Sequence, residues 1–113
     1  MESLTLKIHK SPPNRGFITV DLEGPLDINT AEDFETALTG LFKEGQYHII
    51  LDMKKLSYVS STGFGKLFKI TKVIRENRGD LKVIHVSPEL YKTLEMLEMP
   101  SLLRGPIAGK KRV

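Results

Sequence analysis

The chain has no cysteine and no tryptophan, few aromatic residues, and no long apolar run. Without cysteine there is no disulfide framework, no thiolate metal site and no cysteine nucleophile. That absence also fits a reducing cytosol. The apolar runs fall well short of the ~20 residues that span a bilayer, so no membrane partner is expected. The start, Met1-Glu2-Ser3-Leu4-Thr5, lacks the basic and apolar regions of a signal peptide, and a cytoplasmic location follows as the expectation. Aromatics make up only 7% of residues and no glycine–aromatic ribonucleoprotein pattern is present. Direct nucleic-acid binding is therefore not expected. Charge of neither sign dominates: 17 basic residues against 14 acidic leave a formal +3. Part of that excess is Lys110-Lys111-Arg112, read as a short solvated tail.

What is present is a regularly patterned chain of 113 residues, 40% hydrophobic. This is enough for one domain with its own core and too little for two. We assign that domain to residues 1–107 and the basic tail to 108–113.

Leu4, Leu6 and Ile8 alternate with Thr5, Lys7 and His9, the pattern of a half-buried strand. A turn over Ser11-Pro12-Pro13-Asn14-Arg15-Gly16 leads to a second alternating strand from Phe17 to Glu23, completing a hairpin. Gly24-Pro25-Leu26-Asp27-Ile28-Asn29 reads as a break. Thr30 with Asp33 reads as a capping pair for a first helix, whose buried side is Ala31, Phe34, Leu38, Leu41 and Phe42. Gly45 ends it. Tyr47 to Leu51 reads as a short strand buried on both sides. A second helix runs from Ser61 or Thr62 to about Asn77, with Phe64, Leu67, Phe68, Thr71 and Ile74 on one face. Lys66, Lys69, Lys72 and Arg75 lie on the other, with Val73 among them. Leu81 to Val86 is a further strand. Ser87-Pro88 then opens a third helix, with serine as N-cap and proline at the first position. Leu90, Tyr91, Leu94 and Leu97 form its buried side. Met99-Pro100 stops it, and Ser101 to Ile107 reads as a last short strand or turn.

The order β-β-α-β-α-β-α implies an α/β fold. The sheet is expected to be mixed but mostly parallel, four- to five-stranded, with helices packed on at least one face.

One stretch carries the chemistry: Val59-Ser60-Ser61-Thr62-Gly63-Phe64-Gly65, at the start of the second helix. Helix N-termini have unpartnered N–H groups and tolerate negative charge. These hydroxyls can therefore cap the helix, cradle an anion, or be modified. The spacing is not that of a P-loop or a dinucleotide-binding fingerprint. A nucleophile elbow needs glycine two residues before the serine, where Ser61 has Val59. His9, His48 and His85 fall singly on different strands, so neither a metal nor a cofactor is expected.

The order of elements together with three motifs resembles the STAS domain of bacterial anti-sigma factor antagonists. The motifs are Leu51-Asp52 followed by Val59-Ser60-Ser61-Thr62-Gly63-Phe64-Gly65, the loop Gly24-Pro25-Leu26-Asp27-Ile28-Asn29-Thr30-Ala31, and Val83-Ile84-His85-Val86-Ser87-Pro88-Glu89 running into Leu94-Glu95-Met96-Leu97. The resemblance implies a non-enzymatic binding module that works by partner switching. Its partners would be an anti-sigma factor with serine kinase activity and a phosphatase that reverses the modification. The phosphorylated residue would be Ser61, with Thr62 and Ser60 as alternatives. The partner-binding residues would be Asp27, Ser60, Ser61, Thr62, Gly63, Phe64 and Lys66. The family motif has aspartate where this chain has Ser60. That departure leaves the fold untouched and keeps an unswitched scaffold, or a nucleotide- or anion-binding module, as the alternative.

Overall fold

The alternation of Ile18, Val20 and Leu22 with Thr19, Asp21 and Glu23 is realised as a strand whose inward side chains are buried and whose outward ones are not. In the computed structural model, which describes residues 3–9 and 16–96, this strand is the second of four. The elements are β1 (Thr5–His9), β2 (Ile18–Leu26), α1 (Ala31–Lys43), β3 (His48–Val59), α2 (Ser61–Glu76), β4 (Asp80–Ile84) and α3 (Pro88–Met96). The strands lie in the order β1-β2-β3-β4. β1 pairs antiparallel with β2, whereas β2 with β3 and β3 with β4 are parallel. Parallel neighbours need crossovers, and α1 and α2 supply them. Phe34, Leu38 and Leu41 of α1 and Leu67, Ile70 and Ile74 of α2 share one buried cluster with Val20, Leu22, Ile49, Leu51, Leu81 and Val83. Leu94 of α3 belongs to the same cluster, so the helices cover one face.

Two expectations about strand length are corrected. β2 does not break at Gly24-Pro25 but continues to Leu26, and β3 runs on to Val59 rather than stopping near Leu51. The reason is a pair of bulges. Asp21 faces Asp52 while Glu23 faces Lys55, and Gly24 faces Leu56 while Pro25 faces Tyr58, so β3 carries an extra residue at each step. Each extra residue shifts the two-residue alternation out of phase and erases the sequence signal. Gly24 accommodates this with φ +104°, where an added Cβ would lie 2.5 Å from the Ser3 carbonyl oxygen. Proline is tolerated at a bulge because no ladder donor is required of it there. The Asp52 carboxylate takes the Lys54 N–H at 3.0 Å.

Three smaller corrections concern caps and faces. Thr30 occupies the N-cap of α1 but makes no side-chain cap bond. Its hydroxyl instead donates to the Pro25 carbonyl at 2.8 Å and accepts the Asp27 N–H at 2.9 Å, holding the β2–α1 loop. β4 ends at Ile84 rather than Val86, because His85 adopts φ 57° and turns the chain. Phe68 is not on the buried face of α2 but is 43% exposed. Gly63 and Ile70, both buried, set the inward direction and rotate Phe68 outward. The helix stop at Gly45, with φ +78°, and the Ser87 cap, whose hydroxyl accepts the Leu90 N–H at 3.2 Å, stand as expected. Leu97, Met99-Pro100, the Ser101–Ile107 strand or turn, the 108–113 tail and most of the Ser11–Gly16 turn lie outside the described residues.

Candidate functional site

The loops after β2 and β3 emerge side by side at the carboxyl ends of two parallel strands, the usual place for function in such sheets. Leu26 faces Val59 in register, and the Ser60 N–H donates to the Leu26 carbonyl at 2.9 Å. The β2–α1 loop carrying Asp27 and the start of α2 are thereby tied together.

All of Ser60's polar groups are committed. Its hydroxyl accepts the Gly63 N–H at 3.1 Å and its carbonyl accepts the Phe64 N–H at 2.9 Å, with extended φ −85° and ψ 172°. This is the N-cap of α2, the role a short carboxylate or hydroxyl fills equally well. A hydroxyl therefore suffices where the resembling motif has aspartate. Ser61 and Thr62 follow in the first turn, both exposed, and neither hydroxyl makes a hydrogen bond among the described residues. The first turn of α2 contains no acidic residue, so the partial positive charge of the helix end is not offset by a side chain.

Gly63 is required by packing. An added Cβ would sit 2.5 Å from the Leu26 carbonyl oxygen, 3.0 Å from Leu26 Cγ and 3.1 Å from Val59 Cγ1. Phe64 is half-buried against the core cluster. Asp27 is chiefly a loop builder: its Oδ1 accepts the Asn29 N–H at 2.9 Å, and its carbonyl accepts the Thr30 and Ala31 N–H groups. The next residue, Ile28, is 72% exposed. Sequence reasoning passed over the exposure of Ile28 and of Tyr58 (60% exposed), and placed Phe68 on the buried side. An apolar residue carries no mark of exposure until its neighbours are placed.

Lys66 lies at the border of the buried face rather than among freely solvated lysines. Its ammonium pairs with Glu35 of α1, and Lys69 pairs with the other oxygen of the same carboxylate. The hydrogen bonds from Lys66 and then Lys69 hold the Glu35 carboxyl below its ordinary 4.5, against a smaller opposing effect of burial. The same bond raises Lys66 above its ordinary 10.5. A lowered carboxyl contributes stability that is full above its unfolded pKa and is lost as pH falls through the folded value. We therefore expect wild type to exceed Glu35→Gln in stability near neutral pH. That difference should shrink as pH drops below the ordinary 4.5, which urea titrations at a series of pH values will read; a pH-independent difference would contradict the assignment.

The histidines are separately accounted for. His9 pairs with Asp21 and His85 with Asp52, each at 2.9 Å, while His48 meets the edge of the Phe17 ring. Beside the α2 start lies a cleft of about 260 Å³, lined among others by Val59, Phe64, Glu89 and Leu90. Among the described residues its lining contains no lysine or arginine, which is unlike a phosphate cradle. Among the described residues no helix is long and apolar enough to cross a membrane.

Comparison with known proteins agrees with this architecture. The STAS domain family model matches residues 10–109. The anti-sigma-B factor antagonist of Staphylococcus aureus (strain NCTC 8325 / PS 47) is 28% identical over 87 residues, covering 77% of this chain and 81% of that protein. The structure of the Bacillus cell fate determinant SpoIIAA in its phosphorylated form superposes with a TM-score of 0.72 at 18% identity, covering 89% of this chain and 90% of that one. An anti-sigma factor antagonist from Mycobacterium paratuberculosis gives a TM-score of 0.75 at 16% identity, over 91% of this chain and 85% of that one. At such identities the superpositions speak for the fold, and the family model, which spans β2 to β4 and the three helices, completes the case: this chain belongs to the STAS domain family.

Proposed function

We propose that the protein is an anti-sigma factor antagonist whose binding is switched by phosphorylation of Ser61. In this reading it is a binding module and not an enzyme. The unmodified form binds an anti-sigma factor that is also a serine kinase, a phosphatase restores that form, and the setting is cytoplasmic. The observation that carries the choice of residue is the division of labour between two serines. Ser60 is half-buried and its hydroxyl holds the Gly63 N–H, whereas Ser61 is exposed and its hydroxyl makes no hydrogen bond among the described residues. A kinase can reach the second without unmaking the helix cap. The phosphate, with about 1.5–2 negative charges, then sits at the favourable end of a helix dipole. The helix stays, and the outer surface changes. The S. aureus relative, an anti-sigma-B factor antagonist, supports the choice of partner.

The test is intact-mass measurement after incubation with ATP and the purified anti-sigma factor of the same genome. One phosphate is expected on the wild type, on Thr62→Ala and on Ser60→Ala, the last losing about 1 kcal/mol of stability with its cap. None is expected on Ser61→Ala. An adduct that persists in Ser61→Ala moves the switch to another hydroxyl. A tight complex with no adduct, unaffected by Ser61→Asp, would make the protein an unswitched scaffold.

A further inference from the structure

The outward face of α2 has properties that neither folding nor phosphate acceptance explains. At about 100° per residue, Ser61, Gly65, Phe68 and Lys72 fall on one narrow stripe opposite the buried Gly63, Leu67, Ile70 and Ile74. Phe68 is 43% exposed within it. Gly65 stands mid-helix, where glycine is a poor helix former, yet an added Cβ would meet nothing within 4 Å. No internal contact requires the absence of a side chain there. Lys72 is exposed and makes no ion pair among the described residues. Its neighbour Lys69 shares the single Glu35 carboxylate with Lys66, and its side chain is 61% exposed. Glu76, in the last turn, is the one acidic residue of α2 against four basic ones.

We infer that the partner docks an acidic surface with an apolar projection along this stripe, its projection seated on Gly65 and Phe68 and its carboxylates on Lys69 and Lys72. The inference rests on the switch reading above and names the chemistry of the partner at that site. Charge complementarity selects an acidic partner, because the four basic residues of α2 outnumber Glu76 and the neighbouring Glu35. The missing side chain at Gly65 leaves a hollow between Ser61 and Phe68 that a partner can fill.

The same geometry explains why phosphate would release the partner. A rise of 1.5 Å per residue puts Lys72 roughly 16 Å along the axis from Ser61 and Phe68 about 10 Å from it. The first distance exceeds the Debye length of about 8 Å at physiological salt. A phosphate on Ser61 is therefore not neutralised by Lys72; it stands about 6 Å along the axis from Gly65, where its bulk and charge oppose seating of the partner's apolar projection. Binding and release thus use the same stripe of α2.

Calorimetric titration of the wild-type chain with the same purified anti-sigma factor tests this. Affinity should fall about tenfold or more between roughly 50 and 400 mM NaCl. Lys72→Glu should weaken binding by about tenfold or more with an unchanged melting temperature. Phe68→Ala should weaken it by a similar factor while leaving the salt dependence intact. Gly65→Ala should raise the melting temperature by a few degrees and still weaken binding. Salt-independent affinity, or a Lys72→Glu variant that binds like wild type, overturns the inference. If Ser61 accepts phosphate and the complex ignores Lys72→Glu, the inference falls and the switch stands. If no complex forms, both fall.

Discussion

Alanine at Gly63 is expected to destabilise the protein by about 2–3 kcal/mol, the cost of overpacking a site that cannot yield. The new methyl would lie 2.5 Å from the Leu26 carbonyl oxygen, and that oxygen also accepts the Ser60 N–H at 2.9 Å. Moving it aside breaks the link between the ends of β2 and β3. Moving α2 away instead lengthens the Ser60–Gly63 cap and lifts Leu67, which is fully buried, from the core. Against a total stability of roughly 5–15 kcal/mol, this is a large fraction, readable as a lowered urea midpoint with an unchanged slope. Gly65→Ala, two residues on, should act in the opposite direction. A Gly63→Ala protein as stable as the wild type would show that α2 does not approach β2 as closely as described.

Ser61→Asp is expected to weaken anti-sigma factor binding by about 100-fold, because a like charge placed against a docked partner costs several kcal/mol. Its effect on the fold should have the opposite sign. A carboxylate in the first turn of a helix stabilises it by about 0.3–1 kcal/mol, and no other acidic residue occupies that turn of α2. The variant should therefore melt slightly higher and bind far worse. Ser61→Ala should bind nearly as the unmodified protein does, since it removes a hydroxyl without internal partners. Lost binding in both variants would mean that the hydroxyl itself is a contact, and lost binding in neither would remove the switch. Parallel thermal melts and titrations on the three proteins separate these outcomes.

Where local chemistry dominated, the sequence was readable. The alternation of β2, the apolar face of α1, the Gly45 stop and the Ser87-Pro88 start all depend on residues within one or two turns of each other. The start of α2 was legible for the same reason: small hydroxyls before a glycine announce a helix start. Its division of roles was not. That Ser60 caps while Ser61 is left open depends on the Ser60 N–H reaching Leu26, thirty-four positions earlier in the chain.

The misread elements share a physical cause. β3 looked like a strand of five residues because two bulges against β2 shift its inward and outward positions, and a bulge exists only as a relation between two strands. Thr30 looked like a cap because its type suits one, but the nearby Pro25 carbonyl and Asp27 N–H claim its hydroxyl instead. Phe68 looked buried because it lies next to the apolar stripe. The depth at which Gly63 lets α2 settle on β2 decides which border residues face out.

By itself, then, the sequence determined the kinds of element, their order and the motif at the start of α2, since these follow from period, capping chemistry and turn residues. Only the tertiary structure decided which serine is committed and which is open, which lysines are paired with Glu35, and which face of α2 is left exposed. Those are outcomes of helix rotation, strand register and competition for hydrogen-bond partners between segments distant in the chain, and no local pattern encodes them.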